Sequence, residues 1–215
     1  MSIFDTMRVA PSTWYSDQSE EPNVRTAGII NLSANLCKHL HEAACKWLGV
    51  TPDVPAHVII AGGCLRDMWM GVRLSDVKDI DVFTTIPPKP GVDYADGDDS
   101  GAYGHVAGHK LLGHTTVTLG GLDFNFIHFD PKHAVFNART VIEGFDFSIC
   151  QIAFDGDALE MTPKFMEDMD NKVLRRVNDT VGTAGHGARM RKKFPDWKFI
   201  EFDYGDGYAT QWENI

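Results

Sequence analysis

Two acidic residues stand two positions apart in the segment Asp79-Ile80-Asp81-Val82-Phe83, and apolar residues alternate with them. Successive side chains of a β-strand point to opposite faces, so Asp79 and Asp81 are expected to project from the same face, close together. Neighbouring carboxylates repel each other, and a divalent cation such as Mg²⁺ or Mn²⁺ relieves that repulsion. The pair therefore predicts a metal site, although the same spacing is also common on exposed strand faces.

A glycine turn precedes these acids. The segment 58–61 is apolar and β-branched, which predicts a buried strand, and Gly62-Gly63 and a short helix follow it. Glycines allow a sharp turn and leave no side chain in the way of a ligand. The N–H groups that begin a helix attract anions, so Gly62 and Gly63 are candidates for binding phosphate, and Arg66 would add a charge-assisted bond. A tight turn with an Arg66–Asp67 surface pair is the alternative.

A third carboxylate usually completes a site of this kind. Asp123 lies in a second alternating run, Leu122-Asp123-Phe124-Asn125-Phe126, and is suitably placed if that strand pairs beside 79–83. Asp146 is the rival, and both are candidate catalytic residues in the cleft.

Positive charge is concentrated near the C-terminus. The residues concerned are Lys172, Arg175, Arg176, His186, Arg189, Arg191, Lys192 and Lys193. Among them Arg175 and Arg189 are candidates for holding the triphosphate, the incoming base or an acceptor phosphate. Alternatively, these side chains form the solvated faces of two helices, with Asp168, Asp170 and Asp179 as partners.

These residues need a scaffold of strands and helices. We predict helices at 31–48, 64–70 and 132–143, a mostly helical stretch at 163–194 interrupted around 182–187, and a long loop at 86–110. Strands are predicted at 57–61, 79–83, 115–119 and 122–129, with Gly120-Gly121 as a hairpin turn, then at 148–154 and 197–200. The pattern indicates an α+β fold with a largely antiparallel sheet.

The composition limits the possible functions. The chain has 215 residues and a formal net charge of −10, which argues against broad, salt-driven binding to nucleic acid. The start of the chain lacks the apolar core of a signal peptide, and no apolar run is long enough to span a membrane. The four cysteines are widely spaced among apolar residues, which is typical of reduced, buried thiols in a cytoplasmic protein.

Several of these segments together resemble a known family. Gly-Gly-Cys-Leu-Arg-Asp at 62–67, then Gly71 and Asp-Ile-Asp-Val at 79–82, resemble the head-domain signature of the DNA polymerase β-like nucleotidyltransferases. The similarity is greatest to the branch of tRNA CCA-adding enzymes and bacterial poly(A) polymerases, whose later motifs resemble 114–124 and 146–150. The resemblance covers about residues 55–155.

The resemblance implies a role for each matching residue. Gly63 and Arg66 would contact the nucleotide phosphates, Asp79 and Asp81 would ligate Mg²⁺, and Asp123 would be the third acid. The family has an arginine before its Asp-Phe motif, but Gly144 and Phe145 stand here instead, so that nucleotide contact is in doubt.

The family's helical neck, body and tail have no room in the residues that follow position 155. A small, single-domain relative of the phage type is therefore expected, with a polar arm at 1–28, a catalytic core at 29–160 and a mostly helical extension at 161–215.

The expected activity is transfer of a nucleotide from a nucleoside triphosphate to a hydroxyl group, with release of pyrophosphate. The resemblance favours an RNA or tRNA 3′ end as acceptor, and a protein side chain or a small molecule remains open. The alternatives are a non-catalytic nucleotide- or protein-binding module that kept the fold, and a toxin-like enzyme that modifies tRNA or a partner protein.

Overall fold

The computed structural model describes residues 7–9, 34–52, 57–96, 110–130, 135–178 and 183–202. The helices are α1 (Ala34–Leu48), α2 (Gly63–Trp69), α3 (Ala138–Glu143), α4 (Pro163–Asn171) and α5 (Thr183–Lys193), with 3₁₀ turns at Leu74–Asp76 and Ser148–Cys150. The strands are β1 (Met7–Val9), β2 (Val58–Ala61), β3 (Ile80–Thr84), β4 (Ala95–Asp96), β5 (Leu111–Leu119), β6 (Leu122–Phe129), β7 (Ile152–Phe154), β8 (Leu159–Met161), β9 (Val173–Arg175) and β10 (Lys198–Ile200).

The main sheet has eight strands in the order β1-β8-β7-β2-β3-β6-β5-β4. Its neighbouring strands are antiparallel except for β3 and β6, which run parallel. The predicted α+β class, with a mixed and mostly antiparallel sheet flanked by helices, is confirmed. The predicted hairpin is also present, since Gly120 and Gly121, both at positive φ, join β5 to β6.

The sheet buries an apolar layer on each face. On one face α1 and α2 pack against residues such as Ile60, Val82 and Phe126. On the other face α3 packs against Ile59, Phe83 and their neighbours. Both faces of the central strands are therefore buried, which explains why 58–61 is an uninterrupted apolar run.

The C-terminal segment differs from the mostly helical stretch expected at 163–194. Helix α4 ends at Lys172, which has a left-handed φ of 53°. The chain then forms β9, which pairs in parallel with β10 in a small second sheet. The strand predicted near 197–200 is thus present as β10, whereas β9 was predicted to be helical.

Three other expectations need adjustment. The N-terminal arm was expected to be irregular, but Met7–Val9 pairs with β8; its other residues lie outside the described ranges. Of the helix expected at 132–143, residues 132–134 lie outside the described ranges and 135–137 are not helical. Helix α3 begins at Ala138, where Asn137 and Thr140 form a capping box. Part of the expected loop at 86–110 forms β4, and 97–109 lie outside the described ranges. The division into three regions stays a prediction.

The four cysteines are buried and form no disulfide. Within the residues that the structure describes, no helix combines the length and apolar character needed to cross a membrane.

Candidate active site

The glycine turn and the acidic strand meet at one edge of the main sheet. Ile60 on β2 lies opposite Val82 on antiparallel β3, so β2 ends where β3 begins. The turn at Gly62 and Gly63, which follows β2, and Asp79, which precedes β3, therefore lie at the same edge. Because β6 runs parallel to β3, Asp123 at its start lies at the same edge. Three segments that are distant in sequence therefore converge there.

The acids of this edge share one face of the sheet. Asp81 on β3 lies directly beside Asn125 on β6, so by the alternation of strand side chains Asp79 and Asp123 lie on that face too. Adjacent strands are about 4.8 Å apart and alternate residues of a strand about 6.6 Å apart. The edge therefore concentrates negative charge on a small area.

Each acid has a hydrogen-bond or ion-pair partner within the site. The amide Nδ2 of Asn125 donates to Oδ1 of Asp81 over 3.0 Å. The hydroxyl of Thr118 on β5 donates to Oδ1 of Asp123 over 2.7 Å. Asp79 lies 3.3 Å from the ammonium of Lys78, and both side chains are exposed, so water weakens that ion pair.

The turn depends on the backbone freedom of Gly62. Its φ of 84° and ψ of −136° are accessible to glycine and strained for other residues. Its N–H donates to the carbonyl of Ile152 over 2.9 Å, which fixes the turn to β7. The ring of Phe145 lies 3.1 Å from the position that a Cβ would occupy and packs edge-on against Phe83, so it covers Gly62.

The residue after the turn lies beside the acidic strand. Burial raises the pKa of the Cys64 thiol, the carboxylate of Asp81 raises it further, and a hydrogen bond with the Asp81 backbone partly offsets both effects. The thiol thus lies close to Asp81, and α2 begins beside β3.

Arg66 is buried beneath the turn. Its guanidinium forms an ion pair with Asp67 over 2.8 Å and donates to Sγ of Cys150 over 3.2 Å. It also lies 5.2 Å from the ring centre of Phe194, and its Nη2 lies 3.4 Å from the position of a Gly63 Cβ. Burial alone would lower the pKa of Arg66, but the neighbouring Cys150 and Asp67 raise it, so the group stays charged.

Asp146 belongs to this buried group rather than to the acidic edge. Its Oδ2 lies 2.8 Å from Nδ1 of His186 on α5, and the residue is 5% exposed. Burial raises the pKa of the Cys150 thiol to about 11, an effect that Arg66 partly offsets and Asp146 reinforces.

The two basic candidates of the C-terminal segment lie in different surroundings. Arg175 forms a bidentate ion pair with the fully buried Asp168, which raises the pKa of Arg175 chiefly through the hydrogen bonds. Arg189 is exposed on α5. Helix α5 is itself tied to α2, because Lys193 donates to Asp67 over 2.6 Å.

A metal ion would find oxygen donors at the acidic edge, but no complete ligand set. Within the described ranges, no three His, Cys, Asp or Glu side chains stand close enough together to form a ready metal cluster. The predicted ligands Asp79, Asp81 and Asp123 are therefore neighbours at one edge and not a preformed triad. Mg²⁺ is commonly coordinated by one or two carboxylates together with phosphate oxygens and water, and the carboxylates of this edge fit that coordination.

Sequence reasoning missed the partners of the acids. Asn125 and Thr118 act through strand pairing, which the sequence does not display, and His186 reaches Asp146 through tertiary packing. One signal was available for Asn125, since the alternation in 122–126 already placed it on the face of Asp123.

Comparison with known proteins gives distant structural similarity. No family model matches the chain, and no curated protein is similar to it in sequence. A tRNA-processing enzyme in an apo form has a TM-score of 0.46 and 15% identity, over 77% of this chain and 43% of that one. A CCA-adding enzyme in complex with ATP has a TM-score of 0.46 and 17% identity, over 84% of this chain and 42% of that one. The chain thus spans less than half the length of either protein.

Proposed function

We propose that this protein is a magnesium-dependent nucleotidyltransferase, which moves a nucleoside monophosphate from a nucleoside triphosphate to an acceptor hydroxyl. The observation that supports it most is the convergence of Gly62-Gly63 with Asp79, Asp81 and Asp123 at one sheet edge. A triphosphate with its cation needs both halves, because backbone N–H groups bind phosphate oxygens and carboxylates bind the metal.

Asp79 and Asp81 would hold Mg²⁺, or Mn²⁺ in its place, and Asp123 would be the third carboxylate. Asp123 is the better candidate than Asp146, since it is exposed on the strand beside β3 whereas Asp146 is buried against His186. When bound, the cation supplies charge neutralisation on the phosphates and lowers the pKa of a coordinated hydroxyl.

The chain's own residues orient the triphosphate. The turn would offer the backbone N–H of Gly63, since Gly62 donates its own N–H to Ile152 and is covered by Phe145. The Arg66 guanidinium lies directly behind Gly63. Because Asp67 pairs with this guanidinium, Arg66 would act on the phosphates chiefly by supporting the turn. The acceptor oxygen attacks the α-phosphorus, the bond to the bridging oxygen breaks, and pyrophosphate leaves. Asp123 would take the hydroxyl proton.

The motif resemblance favours an RNA or tRNA 3′ end as acceptor. Exposed Arg189 on α5 offers a cation for an acceptor phosphate, whereas Arg175 is engaged by Asp168 and serves the fold. Phe145 replaces the arginine that the family uses for nucleotide contact, so the nucleoside would meet an aromatic ring at this place.

A non-catalytic nucleotide-binding module is the second candidate. The observation that favours it is the engagement of Arg66 by Asp67, which leaves the turn without a side-chain cation aimed at a ligand. Such a module would bind a triphosphate without releasing pyrophosphate.

The proposal is tested by incubating the protein with each α-³²P-labelled triphosphate, Mg²⁺ and a cell lysate, and separating labelled RNA, protein and small products. The test variant is Asp81→Asn, which keeps the shape and removes the charge. Transfer should fall about 100-fold or more, as expected for loss of a group that stabilises transition-state charge.

Asp157→Asn is the matched control, because Asp157 is exposed in the turn between β7 and β8 at the opposite edge of the sheet. It should transfer like the unmodified protein. Equal activity of both variants would remove the metal hypothesis, and triphosphate binding without any labelled product would support the binding module.

A further inference from the structure

The geometry points to Asn125 as the positioning residue that holds Asp81 in the orientation required for binding the cation. The inference rests on the proposed function and adds a residue that neither the motif resemblance nor the carboxylate pattern identifies. It begins from strand pairing: in the parallel ladder of β3 and β6, Asn125 stands directly beside Asp81.

The side chain of Asn125 has little freedom. The residue is 9% exposed, and its strand neighbours Phe124 and Phe126 are fully buried on the opposite face. Its Nδ2 donates to Oδ1 of Asp81 over 3.0 Å. Because a carboxylate accepts and does not donate, this bond also fixes which end of the amide points toward Asp81.

The chemistry of the donor suits a metal ligand. An amide N–H orients a carboxylate without cancelling its charge, whereas a guanidinium or ammonium, such as that of Lys78 beside exposed Asp79, competes with the cation for it. The carboxylates of Asp67 and Asp168 have such cationic partners, Arg66 and Arg175, and both belong to the buried framework. Thr118 repeats the neutral arrangement on Asp123, the other strand-borne acid of the edge.

Residues that orient metal ligands by hydrogen bonds typically contribute 10–100-fold in metal affinity. Asn125→Leu removes the bond at nearly constant side-chain size. We therefore expect the apparent Kd for Mn²⁺ to rise by about tenfold or more in this variant.

The measurement is free Mn²⁺ by electron paramagnetic resonance, with the full chain and each non-hydrolysable α,β-methylene nucleoside triphosphate in turn. Thr116→Val is the matched control, since Thr116 lies opposite Asn125 on β5 and is exposed. Its Kd should stay within about twofold, because it leaves the orienting bond intact. If Asn125→Leu does not fold, Asn125→Ser replaces it, since a serine hydroxyl is too short to reach Asp81.

Rescue of nucleotide transfer by excess Mn²⁺ distinguishes a misoriented metal ligand from a missing one. Saturating Mn²⁺ should restore nucleotide transfer in Asn125→Leu, where the ligand is misoriented, and should not restore it in Asp81→Asn, where the ligand is lost.

The outcomes distinguish failure of the proposed function from failure of the positioning role of Asn125. If the unmodified protein binds no Mn²⁺ with any triphosphate, the proposed function and this inference both fall. If the unmodified protein binds Mn²⁺, Asp81→Asn does not, and the folded Asn125 variant binds as the unmodified protein does, the positioning role alone is overturned.

Discussion

Two carboxylates of the buried framework and two of the acidic edge differ in the kind of partner that they contact. Asp67 and Asp168 form ion pairs with arginines and lie in the buried framework that joins helices to the sheet. Asp81 and Asp123 accept hydrogen bonds from an amide and a hydroxyl. A neutral donor orients a carboxylate and keeps its charge, which suits a metal ligand. Asp79 differs in this respect, since it lies beside the ammonium of Lys78.

Arg66 combines a structural and a functional role, and substitution separates them. Arg66→Met removes a buried partner of Asp67 and the bond to Cys150, so the free energy of unfolding should fall by about 3 kcal/mol. Urea denaturation followed by circular dichroism measures this change. Triphosphate affinity of the folded variant, measured by calorimetry, should also fall, since the buried charge lies behind Gly63.

Arg189→Met is the comparison, because Arg189 is exposed, and it should change the unfolding free energy by no more than about 0.5 kcal/mol. An Arg66 variant with lowered stability and unchanged triphosphate affinity would reassign Arg66 to structure alone.

At the scale of elements, the candidate site lies at the edge of the main sheet where β2 ends and where β3 and β6 begin. The end of β2 meets the starts of β3 and β6, so the turn and the acids come from different parts of the chain but share one location. The arrangement of the glycine turn beside the acids therefore depends on the conformation of the turn between β2 and α2.

Gly62→Ala tests that dependence. At φ 84° and ψ −136° a Cβ is strained, and it would also lie 3.1 Å from the Phe145 ring. The free energy of unfolding should fall by about 2 kcal/mol or more. Adding Phe145→Leu should recover only the steric part of the loss.

Gly185→Ala is the matched control, since Gly185 lies in α5 with open space around its Cβ position. That change should be neutral or should raise the unfolding free energy by up to about 1 kcal/mol. Equal behaviour of the two variants in urea denaturation would show that the turn tolerates a side chain.

Elements with strong local patterns could be predicted from the sequence. The β5–β6 hairpin, with its Gly-Gly turn, and the run from β2 into α2 are local signals. Strand β9 could not be predicted, because Val173–Arg175 is short and its partner β10 is distant in sequence. The pairing of β3 with β6 has the same non-local character, so the sequence pointed to Asp79, Asp81 and Asp123 as candidates and not to Asn125.

The whole molecule carries a net charge of −10, whereas helix α5 exposes several basic residues. Helix α5 is attached to α2 by Lys193 and Asp67, and to the segment before β7 by His186 and Asp146. The basic helix is thus attached to the framework that also supports the glycine turn.

The most direct test of the central claim is nuclear magnetic resonance of the ¹⁵N-labelled protein with Mn²⁺ and a non-hydrolysable triphosphate. Because Mn²⁺ broadens nearby amide signals, those of Gly62, Gly63 and Asp81 should broaden together, whereas Asp157 at the opposite edge should stay sharp. Broadening that is strongest at Asp157 or along α5, or that reaches Asp81 without the glycines, would contradict a shared magnesium–triphosphate site.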